Sequence, residues 1–304
     1  MFNITIIGTI NKDTIIFPDG RAKQSFGGIL FNILALSYLG KDRVKILPVC
    51  NSGYDLFSEV MAYLKDLTNV EICGITKVKK KNNHAFLYYD KTGERKEVLR
   101  HSVPKVLFKD IKPFLKSDVI LVNFISGFDL SLATLKKIRK NSDALIFIDL
   151  HSLTLGIKKD GRRFQRPPYR WKEWISQADI LQLNLLELLT LAKKELKTLK
   201  AIKDFSEKIL NLGVKFILVT NGEKSGYFIS KYKNKAKAQR VKVPKIEKVV
   251  DTTGCGDIFS SAFIIYYLKN KEPKKSFEFA NFIATQRCRY SGIENLKKLS
   301  EYKR

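Results

Sequence analysis

The chain has 304 residues, is 44% hydrophobic, and carries 56 Lys and Arg against 30 Asp and Glu, for a formal net charge of +26. That length and composition allow a large buried core, in one large α/β unit or two smaller ones. Cys50, Cys73, Cys255 and Cys288 form no Cys-x-x-Cys pair and only three His accompany them, which argues against a disulfide framework or a zinc site. A strongly basic surface attracts nucleic acid, anionic membranes or phosphorylated small molecules. Here the lysines are scattered mostly as Lys-Lys pairs, with clusters at 77–81 and near 231–237, and no aromatic-interleaved basic repeat appears. The charge therefore reads as solvated surface, and nucleic acid is not the expected partner. No basic leader opens the chain and no apolar run is long enough to span a bilayer, so the expectation is a cytoplasmic setting with no membrane partner.

Residues 2–7 form a β-branched run ending at Gly8, a strand feeding a tight turn. Residues 9–17 alternate and meet Pro18-Asp19-Gly20, the pattern of a hairpin. On an extended segment Asn11 and Asp13 share a face and suit gripping hydroxyls, although both residue types are also common in turns. Ser25-Phe26-Gly27-Gly28 then opens an apolar helix containing Asn32 and stopping at Gly40. Residues 44–49 read as a strand, 56–64 as a helix, 70–78 and 84–89 as strands, and Lys91-Thr92-Gly93-Glu94 as a hairpin turn into 95–99. This β-rich insertion is either a lid over a site or an extension of the main sheet's edge.

From Asp118 onward strands and helices alternate: strands at 119–124, 144–150, 180–183, 216–220 and 227–229, helices at 130–139, 184–191 and 201–210. Such alternation predicts a mostly parallel sheet covered on both faces, with ligands at the carboxyl ends of its strands. Asn184 and Glu187 open one helix, either as cap and third residue of a capping box or as a pair beside Mg2+ that keeps its waters. Thr220-Asn221-Gly222 ends a strand in a glycine turn. Between 149 and 174 a long loop carries Asp149, His151 and an Arg/Trp cluster at 161–174, suited to an anionic group or equally to a stacked surface loop. His151 reads as a polar contact.

Val249-Val250 reads as the end of a buried strand, followed by Asp251-Thr252-Thr253-Gly254-Cys255-Gly256-Asp257 and an apolar helix to 268. A glycine turn at a helix N-terminus offers free N–H groups and the positive end of the helix dipole to an anion. Asp257 enters the first helical turn at the same spot. Anion hole plus carboxylate suits phosphoryl transfer to a hydroxyl, the carboxylate accepting the hydroxyl proton. Asp257 could equally be an acidic first-turn residue beside the dipole.

Asp-Thr-Thr-Gly-Cys-Gly-Asp at 251–257 resembles the C-terminal signature of the ribokinase, or phosphofructokinase B, family of sugar and nucleoside kinases. Gly27, Gly28 and Asn32 resemble that family's first signature, and Asn184-x-x-Glu187 its metal and phosphate motif. Five motifs in the family's order cover essentially the whole chain. The resemblance implies an α/β three-layer sandwich with a mostly parallel central sheet and helices on both faces, one domain over 1–304. It also implies a discontinuous β lid from about 10–26 and 72–103, through which members can dimerise. It implies ATP and Mg2+ as cofactors and transfer of the γ-phosphate to a sugar or sugar-derivative hydroxyl. In these terms Asp257 is the base, Gly254, Cys255 and Gly256 the anion hole, and Asn11, Asp13, Gly27, Gly28 and Asn32 hold the acceptor. Glu187 serves Mg2+ through water, while Asn184, Glu187, Thr220, Gly222 and Asn281 serve the nucleotide. Asp251 and Thr253 match positions that hold a monovalent cation, such as K+, in several members. Cys255 departs from the family's usual Ala, and a thiol at a helix N-terminus is expected to ionise more readily. Two other readings stay open: a nucleoside kinase, with Phe86 and Tyr88 covering a base, and a nonenzymatic polyanion binder keeping the fold.

Overall fold

The computed structural model describes residues 1–91 and 95–302, with nothing of the Arg95 side chain. Thr92, Gly93 and Glu94 of the expected hairpin turn lie outside the described residues. Nine strands form the central sheet in the order Lys235–Val241, Ser225–Tyr232, Phe216–Asn221, Ile180–Asn184, Leu145–Asp149, Val119–Asn123, Phe2–Ile7, Val44–Gly53 and Ile75–Val78. The pairs from Phe216–Asn221 to Ile75–Val78 are parallel, and the two beyond Phe216–Asn221 are antiparallel.

Both faces of this sheet are covered, which explains why its strands read as continuous apolar runs rather than alternating ones. Side chains still alternate in direction. Val119 and Leu121 join one buried cluster, with Phe31, Phe259 and Phe263 from helices Ile29–Gly40 and Cys255–Asn270. Ile120 and Val122 join the other, with Leu135, Leu188 and Ile209 from helices Leu132–Asn141, Leu185–Ala192 and Leu199–Leu210. The result is three layers, helix, sheet and helix.

A separate four-stranded sheet runs Ala22–Gly28, Ile10–Ile16, His84–Tyr89 and Arg95–Arg100. Its central pair is parallel, so it joins two segments distant in the chain. Residues 75–78, expected in the β lid, instead extend the edge of the central sheet, pairing with 50–53. Two further differences concern strands. The lysine cluster near 231–237 holds a turn at 233–234, and beyond it Lys235–Val241 is an edge strand that the sequence reading lacks, because its alternating lysines mask Ala236 and Ala238, which pack on the core. Val249 and Val250 form no strand: they are 52% and 50% exposed, and the Val250 N–H bonds to the Cys288 carbonyl. A β-branched pair without a strand to pair with has no ladder to join. Among the described residues no helix is long and apolar enough to cross a membrane.

Candidate active site

Strand register sets the floor of the site. Asn123 lies opposite Asp149, Asp149 opposite Gln182, and Asn184 opposite Thr220, so polar residues form a row at the carboxyl ends of four parallel strands. Above this row the N-terminus of helix Cys255–Asn270 and the inner face of the four-stranded sheet enclose a cavity of about 260 Å³. Asn11, Asp13, Gly27, Gly28, His151, Asn184, Thr220 and residues 252–257 line it.

Asp257 sits in the first turn of that helix and is buried. Burial pushes its carboxyl up to about 7, against the lowering effect of a hydrogen bond from Asn123. Asn123 Nδ2 donates to Asp257 Oδ1 at 2.7 Å and to Asn32 Oδ1 at 2.9 Å. The helix has no side-chain cap; its N-cap Gly254 takes φ 77°. Cys255 N–H turns back to the Thr252 carbonyl at 3.2 Å, whereas the N–H groups of Gly256 and Asp257 have no backbone acceptor among the described residues. The Gly254 N–H likewise has no acceptor among the described residues, so the donors left for an anion are 254, 256 and 257, and of the 254–256 turn expected from sequence only the Cys255 N–H is taken. The two glycines are glycines for different reasons. A Cβ on Gly254 would lie 2.4 Å from the Phe31 ring, but one on Gly256 would meet only Gln182 Nε2, at 3.9 Å. Space beside Gly256 is therefore open to a ligand.

On the acceptor side, a Cβ on Gly27 would lie 2.1 Å from Asp13 Oδ2, so glycine here makes room for that carboxylate. Asn11 Oδ1 is buried without a hydrogen-bond partner among the described residues, in a wall of the cavity. Asn32 departs from expectation. It is fully buried, does not line the cavity, and its Nδ2 donates to the Asp257 carbonyl at 2.8 Å and to Ser260 Oγ at 3.0 Å. Its amide is committed to holding the Asp257 turn, not to a ligand. Phe86 and Tyr88 are also placed otherwise: Phe86 stacks on His84 and Tyr88 is exposed, while Ala85, Leu87 and Tyr89 line the cavity. Alternation along the strand puts the odd-numbered residues inward.

Toward the other end of the row, Asn184 and Glu187 form a capping box: Asn184 Oδ1 accepts from Glu187 N–H at 2.9 Å, and Glu187 Oε2 accepts from Asn184 N–H at 2.9 Å. Asn184 lines the cavity and Glu187 does not. Asp149 is buried nearby, accepting from Gln182 Nε2 at 2.8 Å, and its carboxyl is pushed well up by burial and then by the charges of Glu187 and Asp257. An acidic residue that feels the charge of two others suits a divalent cation with hard oxygen donors. Among the described residues no group of three His, Cys, Asp or Glu could hold a metal ion. Thr220 lines the cavity, Gly222 lies in the following hairpin turn with φ 53°, and Asn281 is buried in helix Pro273–Arg287 away from the cavity.

A monovalent cation fits Asp251 and Thr253 poorly. Asp251 Oδ1 accepts from Thr253 N–H at 2.8 Å, and Oδ2 lies 3.3 Å from Nη2 of Arg287, a guanidinium with no solvent exposure. Arg287 also donates to the Tyr290 carbonyl. A fixed positive charge already compensates the carboxylate. Cys255 likewise differs from expectation: its thiol is pushed well up, by the hydrogen bond to Cys288 and by burial. In the 161–174 loop Arg162 pairs with Asp160 and Arg170 with Glu173 at the surface, and Arg163 Nη2 bonds to the Ser126 carbonyl at 2.9 Å. None of the three lines the cavity.

Asn123, Gln182 and Arg287 are absent from the sequence reading. Asn123 ends its strand, a position signal available in principle, and Gln182 is a lone polar residue in the middle of the apolar strand Ile180–Asn184; Arg287 gives none, because nothing local marks a buried arginine.

The pfkB family carbohydrate kinase pattern matches residues 53–298. The chain is 32% identical over 131 residues to hydroxymethylpyrimidine/phosphomethylpyrimidine kinase of Aquifex aeolicus, covering 42% of this chain and about half, 49%, of that relative's length. It is 23% identical over 279 residues to cytidine kinase of Thermococcus kodakarensis, covering 89% of this chain and 90% of the relative. In structure it resembles Arabidopsis thaliana ribokinase, solved with ribose and ATP, with a TM-score of 0.76 at 18% identity over 99% of both chains. The fold is thus ribokinase-like.

Proposed function

The chain belongs to the pfkB family of carbohydrate kinases, and from this premise we propose that it transfers the γ-phosphate of ATP to a hydroxyl of a sugar or sugar derivative, with Asp257 as general base. The observation that carries this reading is Asp257 itself, a buried carboxyl raised to about 7 beside open helix N–H groups. A base poised near neutral pH takes a proton efficiently and returns it easily. Asn11 and Asp13 grip neighbouring hydroxyls of the acceptor, and the four-stranded sheet serves as the lid that excludes water. As the acceptor oxygen attacks, Asp257 accepts its proton, and the N–H groups of Gly256 and Asp257 face the charge growing on the transferred group. Asn184 and Glu187 would hold Mg2+ through its waters, and the ion would neutralise phosphate charge. Thr220 borders the nucleotide.

A nucleoside acceptor is the second reading, favoured by Leu87 and Tyr89 in the cavity wall, which offer an apolar cover to a base. The test is ADP release with Mg2+ across free sugars, sugar phosphates and nucleosides, wild type beside Asp257→Asn. Stimulation by one acceptor class, lost in the variant, supports the kinase reading and names the class. Turnover indifferent to Asp257→Asn, or none with any acceptor alongside steeply salt-dependent nucleic-acid binding, refutes it.

A further inference from the structure

We propose that Cys255 and Cys288 form an oxidisable dithiol, a modification site through which a hydroperoxide closes a disulfide across the anion hole and turns the site off. Cys255 is the first residue of helix Cys255–Asn270 and lines the cavity; Cys288 directly follows helix Pro273–Arg287. Their sulfurs lie 3.3 Å apart, and both face the Ala284 carbonyl, at 3.6 and 3.5 Å. Both are partly exposed, whereas Cys50 is buried and the exposed Cys73 contacts Glu71. A disulfide needs about 2.05 Å between sulfurs, roughly 1.3 Å less than the present gap. The two segments are already tied, because the Cys288 carbonyl accepts the Val250 and Asp251 N–H groups at 2.7 and 3.3 Å.

Cys288 is the attacking sulfur. The hydrogen bond from Cys255 holds its thiol below the ordinary value, with the Arg287 charge acting in the same direction, while the Cys255 thiol is held above it. The Cys288 thiolate attacks one oxygen of the hydroperoxide and the O–O bond breaks, leaving a sulfenic acid on Cys288 and an alkoxide or hydroxide that takes a proton. The Cys255 thiol then loses its proton, its sulfur attacks the Cys288 sulfur, and hydroxide departs as water. Two thiols are oxidised by two electrons, and the hydroperoxide is reduced to one alcohol, or water, plus one water. Drawing Cys255 toward Cys288 shifts the turn that presents the Gly256 and Asp257 N–H groups. This last consequence rests on the kinase reading; the crosslink does not.

The full chain is treated with a small excess of hydrogen peroxide, alkylated and digested without reduction, and its peptides are weighed. The expected result is a Cys255–Cys288 crosslinked peptide that is absent in Cys288→Ala, with turnover down about tenfold or more and restored by dithiothreitol. Cys288→Ala keeps its turnover through the same treatment. Recovery of both cysteines alkylated or singly over-oxidised overturns the proposal, as does a crosslink that leaves turnover unchanged. Because mass detects the crosslink without turnover, a chain that crosslinks but phosphorylates nothing in the panel and binds nucleic acid with steep salt dependence upholds the dithiol and refutes the kinase reading instead.

Discussion

Replacing Asp257 by asparagine separates the cost of burying a carboxylate from its use. In the folded chain its carboxyl titrates at about 7 rather than 3.8. A shift of about three units, at about 1.36 kcal/mol each, sets an upper bound of roughly 4 kcal/mol on the native-state cost of ionisation. Between these two pH values the folded chain holds a proton that the unfolded chain has released. Wild-type stability from this group therefore falls as pH rises through the window and levels off above it. In Asp257→Asn the side-chain amide oxygen still accepts from Asn123 Nδ2, and no charge is buried. Losing a carboxylate from the first helical turn costs about 0.3–1 kcal/mol in return. The net expectation is a variant about 1–3 kcal/mol more stable than wild type at pH 8, with the gain gone near pH 4. Urea unfolding of both proteins at the two pH values measures this, and turnover of the variant should fall about 10²–10⁴-fold. A variant no more stable than wild type at pH 8 refutes the account of Asp257 as a buried, raised carboxyl; turnover within tenfold of wild type refutes its role as base.

Gly254→Ala should lose about 1–3 kcal/mol, seen as a lower melting temperature, because φ 77° and the Phe31 ring oppose a Cβ there. Gly256→Ala should leave the melting temperature nearly unchanged while lowering turnover, since its Cβ enters only the space meant for ligand; equal melting losses in both variants would sink the distinction. Asn123→Leu removes the hydrogen bond that lowers the Asp257 carboxyl, so the acid limb of the kcat/KM profile should move to higher pH. An unmoved limb would show that Asn123 does not govern that proton. With Arg287 already beside Asp251, exchanging K+ for tetramethylammonium at constant ionic strength should change turnover by less than about twofold; a strong K+ requirement would contradict the poor fit of the cation.

Local signals make much of this molecule legible. The parallel sheet follows from the strand and helix alternation after Asp118, and the 254–257 turn announces itself because glycines and a first-turn acid mark a helix start within a few residues. What escapes depends on contacts across the chain. Asn32 looks like a ligand residue until Ser260 and the Asp257 carbonyl, more than 220 positions away, are seen to take its amide. Asn123 lies inside the apolar strand read at 119–124, and only the fold brings Asp257 onto it. Phe86 and Tyr88 pass for cavity residues only while no register decides between the two faces; strand period two makes a one-residue error a complete inversion. The Cys255–Cys288 contact likewise needs two helices packed together, which spacing along the chain cannot reveal.

The strand Lys235–Val241 ends the nine-stranded sheet and shows solvent Lys235, Lys237 and Arg240. An outermost strand offers its backbone groups to any similar edge, including that of another copy, and long cationic side chains spaced along it repel such a neighbour before hydrogen bonds can form. A share of the +26 charge is thereby put to keeping copies apart. At about 1 M salt, where charges are felt over only about 3 Å, that protection thins, and association through this edge should become dependent on protein concentration.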